Sequence, residues 1–232
     1  MATQTEKPRS SAGRTDTAAV VAGLRQAIFQ GDLAPNQRLV EADFCLEYDS
    51  RRATVRAALA ELTAEGIIER VHNLSARVRA VSVAEAVEIV EVRSSLEGLC
   101  AAKAAEAVTE EEVSELQKLG EIMTESVAAG DVGRYSDCNK RLHARLIQIS
   151  GQHTAAALID KLLGQTVRYQ FRLAMQPGRP SVSLPEHLEL INAVCARDPE
   201  RAAAAMKAHL TSVIGAIRKA SETTRPVASD LF

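Results

Sequence analysis

Strand-like alternation occurs in one place along this chain, and it is over by Val81. "IIERVH" (residues 67–72) and "ARVRAV" (76–81) alternate as paired strands do, with "NLS" between them as a hairpin tip. Everything before them is helical in pattern. In "TAAVVAGLRQAIFQ" (17–30), Val20, Val21, Leu24, Ala27 and Ile28 fall on one helical face, and Gly31-Asp32 closes it. "LAPNQRL" reads as a turn, because Pro35 presets φ and Asn36 tolerates the left-handed region. A short helix over about residues 40–47 is broken by "YDS". A third begins in "DSRRATVRAALAEL" (49–62), with Val55, Leu59 and Leu62 inside and Gly66 as a natural stop. Three helices followed by a hairpin make residues 17–81 a winged helix-turn-helix. Residues 1–16 read as a disordered arm, polar and without the apolar core of a signal peptide.

Beyond Val81 the strand signals disappear. "SVAE" (82–85) and "TEEE" (109–112) have the form of capping boxes, opening helices to about 108 and 129. Gly130 ends the second, and Asp131 restarts a helix that stops near Ser150-Gly151. Another helix is expected over 154–175, with "QPGRPSVSLP" as an irregular break and Pro185 opening the next helix, which would put His187 in its first turn. Asp198-Pro199 is an N-cap followed by proline at the first helical position. The expectation is therefore a mainly α protein: the winged helix-turn-helix, then an antiparallel helical bundle over 82–222, then a frayed tail at 223–232.

The third helix carries an unusual charge pattern. Arg51, Arg52 and Arg56 crowd its first turns, where the helix dipole already disfavours cations. Arg52 and Arg56, at i,i+4, repel each other, so the expectation is a negative partner outside the chain. The second helix of a helix-turn-helix enters the major groove of duplex DNA N-terminus first. Arginine there pairs bidentately with guanine, and Thr54 reaches a phosphate or a base edge. Overall charge does not advertise this: the chain is −2, with residues 1–81 at +1 and the remainder at −3.

These residues resemble the GntR family of bacterial transcription regulators. The matching positions are Gly31, Leu33, Pro35, Leu39, Glu41, Arg52, Val55, Arg56, Ala58, Leu59, Leu62, Glu65 and Gly66. The resemblance implies DNA contact by Arg52, Thr54 and Arg56, with Arg51 as an added phosphate contact and Asn73 at the wing. The chain departs from the family pattern at Asn36 (a turn glycine), Arg51 (Ser or Thr) and Thr54 (often Pro). After Asn73, Leu74 and Ser75 replace the usual Arg-Gly.

Five histidines occur, at 72, 143, 153, 187 and 209. Asn139 and His143 share a helical face at i,i+4. His187 and His209 lie on two further helices. Spacing alone leaves two readings open: unrelated core or surface histidines, or three imidazoles converging on a divalent ion. The second part resembles the FCD domain of the FadR subfamily. Its marks are R-x-x-L-E (93–97), N-x-x-x-H (139–143), Gly151, E-H-x-x-L (186–190), D-P-E-x-A (198–202) and M-x-x-H-L (206–210). That resemblance implies a metal held by Asn139, His143, His187 and His209, zinc or alternatively nickel or manganese, where many members carry Asp for Asn139. With no carboxylate among these ligands, the full +2 charge would face a small carboxylate effector. Arg93 either binds that effector or pairs with Glu97 at i+4. Arg168 and Arg172 pose the same alternative.

Two functions remain. A ligand-responsive transcription regulator, a homodimeric repressor reading a two-fold operator and released by an organic acid, accounts for both parts. A metal-dependent enzyme on a helical bundle leaves the winged helix unexplained, and its base could only be Glu186. Cys45, Cys100, Cys138 and Cys195 are dispersed, as in a reducing cytoplasm. No apolar run nears the ~18–20 residues of a membrane helix.

Overall fold

Several of the helices begin where a side chain can take an unpaired backbone N–H. In the computed structural model, which describes residues 15–71, 75–166, 169, 173 and 176–223, the Asp16 carboxylate accepts from the Ala19 N–H and starts α1 (Thr17–Gln30). Asp16 thus belongs to the first helix rather than to the arm, and the Thr15 carbonyl accepts from Ser50 Oγ at 2.8 Å. Gly31, at φ 96°, stops α1. Strand β1 (Arg38–Leu39), α2 (Glu41–Glu47), α3 (Arg52–Ala64), β2 (Ile68–Val71) and β3 (Ser75–Val78) follow. The short β1 was expected as part of a turn. It pairs antiparallel with β3, so the wing sheet has three strands in the order β1-β3-β2. Two residues are too few to show a period of two, which is why the pattern misses it. Asn36 takes φ 64° in the turn before β1. Val20, Leu24, Ile28, Val55, Leu62, Ile68 and Val78 form the core of this unit.

The chain divides into two compact units, Met1–Arg79 and Ala80–Phe232. In the second, Ser82 caps α4 (Val83–Ala107) and a reciprocal Thr109–Glu112 capping box opens α5 (Glu110–Ala128). Asp131 caps α6 (Val132–Ile149), and α7 (His153–Gln165) follows. The helix expected over 154–175 is interrupted at Thr166, which is not helical and whose hydroxyl bonds back to the Leu162 carbonyl. Arg168 and Arg172 lie outside the described residues.

The next helix corrects the expected break. Helix α8 runs Arg179–Cys195, entered through Gly178 at φ 77° with Pro180 in its first turn. Pro185 sits inside it and His187 lies well beyond its first turn. The helix starts at the proline whose missing N–H would have been unpaired anyway, and Ser183 Oγ reaches back to the Arg179 carbonyl at 3.0 Å. Asp198 then accepts from the Arg201 N–H at the start of α9 (Pro199–Thr223). Leu116, Met123, Leu142, Leu146, Leu190, Met206 and Leu210 pack the bundle core from α5, α6, α8 and α9. Among the described residues, no helix is long and apolar enough to cross a membrane.

Candidate functional site

Helices α6, α8 and α9 bring His143, His187 and His209 together. Their rings stack at centroid separations of 5.6 Å (143–187), 5.2 Å (143–209) and 4.3 Å (187–209). One nitrogen from each lies within 4.8 Å of the others. His187 and His209 are buried, at 1% and 4% exposure.

The other nitrogen of each ring is held from behind. His143 Nδ1 is 2.8 Å from Glu97 Oε2, and His209 Nδ1 is 2.9 Å from Glu186 Oε2. Burial works against ionisation of Glu97. The charge of Arg93 and the hydrogen bond from His143 overcome it and hold this carboxyl at about 2. Glu186 is also held below the usual carboxylate range: burial opposes this, but the His209 hydrogen bond prevails. Ionised carboxylates only accept, so both histidines donate through Nδ1. His187 Nδ1 meets the Tyr135 hydroxyl at 2.8 Å, and that hydroxyl meets Ser183 Oγ at 2.7 Å. Ser183 sends its proton to the Arg179 carbonyl, so Tyr135 donates to Ser183 and accepts from His187. In this arrangement a neutral ring carries its proton on Nδ1 and a lone pair on Nε2.

Burial pushes His187 well below the ordinary imidazole range, and the charges of His209, His143 and Arg179 push the same way. Burial also lowers His209, against the pull of Glu186. Neutral rings are what metal ligation needs. Among the described residues, two buried side-chain polar atoms have no hydrogen-bond partner: His187 Nε2 and, one turn before His143, Asn139 Oδ1. Unpaired buried acceptors are costly. A divalent cation on the three imidazoles would give His187 Nε2 a partner, and an unpaired amide oxygen one turn before His143 is a further donor that such an ion accepts, so the residue set fits a metal.

The expected charge balance needs correction. The expected ligand set has no carboxylate, but Glu97 and Glu186 stand directly behind two of the imidazoles and would offset part of an ion's charge. Both are themselves paired. Arg93 Nη2 lies 2.7 Å from Glu97 Oε1, with side chains 8% and 1% exposed, and Arg179 Nη2 lies 3.6 Å from Glu186 Oε2. Arg93 forms the salt bridge with Glu97 that one of its two readings expects. Tyr135, Ser183 and Arg179 were not anticipated. Tyr135 precedes Asn139 and His143 at i−4 and i−8, a helical-face signal that was available. Ser183 and Arg179 fell in the stretch read as irregular.

In the first unit, Arg52 and Arg56 do have a negative partner within the chain. Glu41, the first residue of α2, accepts from Arg52 Nε at 2.9 Å on Oε2, and from Arg56 Nε and Nη2 at 3.2 Å each. Their side chains are nonetheless 73% and 60% exposed. Arg51 is the N-cap of α3 and exposed, Thr54 is half-buried, and Asn73 lies outside the described residues.

Comparison with known proteins matches both units. Residues 16–78 match the model of the bacterial regulatory proteins of the gntR family, and residues 88–212 match the FCD domain. The chain is 23% identical over 196 residues to the HTH-type transcriptional repressor RspR of Escherichia coli, covering 84% of this chain and 86% of that one. It is 28% identical over 207 residues to the HTH-type transcriptional regulator LutR of Bacillus subtilis, covering 80% and 94%. Among solved structures, E. coli McbR/YncC superposes with a TM-score of 0.74 at 21% identity, covering 88% of this chain and 98% of that one.

Proposed function

The chain belongs to the GntR family of bacterial regulators, with an FCD domain behind its winged helix; from that membership we propose a metal-dependent repressor released by a small carboxylate. A ligand-responsive, DNA-binding transcription regulator is what the family establishes. The family is not one of enzymes, so the paired Glu186 supports His209 and is no catalytic base.

One observation supports the finer reading: a nitrogen from each of three imidazoles comes within 4.8 Å of the others, and the buried His187 Nε2 has no hydrogen-bond partner. His143, His187 and His209, with Asn139, hold the ion; zinc suits this nitrogen-rich set, with nickel and manganese as alternatives. The ion supplies positive charge for an anionic effector. Glu97 and Glu186 fix two rings, Tyr135 fixes the third, and Arg93 serves by holding Glu97. Arg51, Arg52, Thr54 and Arg56 on α3, with Asn73 in the wing, face the operator. A homodimer reads it, because one recognition helix covers only a few base pairs. Bound effector favours one placement of the DNA-reading units over another, and differential affinity between the two states is the coupling.

The test is a thermal-shift screen of small carboxylates with and without zinc, followed by DNA binding at fixed metal. A carboxylate that raises the melting temperature only with metal, and lowers operator affinity, is the expected result. Stabilisation that is indifferent to metal defeats the metal-dependent reading. Light scattering at the mass of one chain, with and without DNA, defeats the dimer.

A further inference from the structure

We propose that Glu41 is a specificity-determining residue of the DNA-reading surface, positioning Arg52 and Arg56 so that their outer guanidinium edges are preset for base edges. This inference rests on α3 being the DNA-reading helix.

The geometry is that of a bridge. One carboxylate at the start of α2 takes Arg52 through its Nε and Arg56 through its Nε and Nη2. The Glu41 side chain is 21% exposed, while the two arginines are 73% and 60% exposed. The carboxyl is held below its usual range by its hydrogen bonds to Arg56 and then Arg52, so it stays charged. Arg52 contributes only its Nε to the bridge. Both of its terminal nitrogens stay available for a bidentate pair with guanine O6 and N7. Arg56 keeps its Nη1.

Two consequences follow from the charge. Two cations one helical turn apart, at a helix N-terminus, repel each other and the dipole. Glu41 offsets both and limits the rotamers each long side chain samples, which lowers the entropy cost of a defined base contact. It also places a negative charge beside the surface that approaches phosphates, which weakens sequence-independent binding. Both effects widen the gap between operator and other DNA.

The experiment uses the full chain, wild type and as Glu41→Gln and Arg52→Ala variants, each first checked for an unchanged thermal melt. A randomised duplex library is selected with the wild type. The affinities of all three proteins for the selected duplex and a scrambled duplex are then measured across a salt series. Glu41→Gln is expected to lower the selected-to-scrambled ratio roughly tenfold, about one bidentate contact's worth of discrimination, while scrambled-duplex affinity holds or rises. An unchanged ratio, or both affinities rising by the same factor, overturns the proposal. The Arg52→Ala arm separates the two levels. If Arg52→Ala binds the selected duplex as the wild type does, the reading of α3 itself has failed. If it loses discrimination while Glu41→Gln keeps it, only the role of Glu41 has failed. Should Glu41→Gln melt early, Glu41→Asp replaces it: one methylene shorter, it keeps the charge but not the reach to both arginines, and the same lowered ratio is expected.

Discussion

His143 and Glu97 are 46 positions apart in sequence, yet His143 Nδ1 lies 2.8 Å from Glu97 Oε2. The contact joins α6 to α4, and on its far side Glu97 is held by Arg93. A ring that would otherwise be free to turn is fixed with its Nε2 toward the other two histidines.

Removing the charge behind that ring should loosen the metal. Glu97→Gln is expected to weaken zinc roughly 10- to 100-fold, as loss of a carboxylate behind a ligating histidine does elsewhere. It should also destabilise the chain by several kcal/mol, since Arg93 is left buried without its counter-ion; about 3–5 kcal/mol is usual for such a loss. Competition with a chromogenic chelator, and a melt of the metal-free protein, read the two effects separately. Unchanged zinc affinity would reduce Glu97 to a partner of Arg93 alone.

Asn139→Asp should act in the opposite sense. A carboxylate at a buried, unpaired position strengthens the ligand set, so zinc should bind more tightly, and the stabilisation by a given zinc concentration should grow with it. Without metal the new charge has no partner, so the chelated variant should melt below the chelated wild type. The effector should bind more weakly, because part of the ion's charge is already offset. Calorimetry with zinc and with chelator checks all of this, and an effector affinity that rises would contradict the charge argument.

Any one of His143→Ala, His187→Ala or His209→Ala should lower both metal and effector affinity. His187→Ala should also be the least stable, because it removes the hydrogen bond that the Tyr135 hydroxyl accepts and opens a cavity beside it. A triple variant that still responds fully to the carboxylate found by screening would leave the three histidines as core residues.

Arg52→Ala and Arg56→Ala should preserve the fold, since both side chains are largely exposed, and should weaken binding to a selected duplex. A lost base contact costs roughly 1–3 kcal/mol and relaxes one position of the site. A lost phosphate contact instead weakens all sequences and reduces the salt slope by about one. Undisturbed affinity in both variants would remove α3 from the interface.

The Thr109–Glu112 capping box gives a prediction free of the site. Glu112 is lowered chiefly by its hydrogen bond from the Thr109 backbone N–H, so its contribution is present above the unfolded carboxylate range and fades as pH falls through the folded one. Thr109→Ala should cost about 0.5–2 kcal/mol at neutral pH. Glu112→Gln, which removes the titrating carboxyl, should show a melting temperature that falls less steeply on acidification than that of the wild type.

Local signals were sufficient for most of the fold. Ser82, Thr109 and Asp131 cap helices because of what they are, Gly31 ends one because it has no Cβ, and Val55, Leu59 and Leu62 repeat with the period of a buried face. Such rules act within a few residues, so the chain displays them openly. They failed where two local signals competed: Pro180 and Pro185 both start a helix plausibly, and only packing of α8 against its neighbours made the first the start and the second an interior residue. The four proposed metal-site residues could be named from resemblance, but the partners of the three histidines' second nitrogens could not be assigned. Glu97, Tyr135 and Glu186 reach them from α4, α6 and α8 across the bundle, and hydrogen bonds over such separations leave no period in a sequence. The same holds for Glu41. The sequence by itself determined that Arg52 and Arg56 crowd like charge at a helix start; that a carboxylate of the preceding helix meets both was decided by the tertiary structure, because only the crossing of α2 and α3 sets that distance.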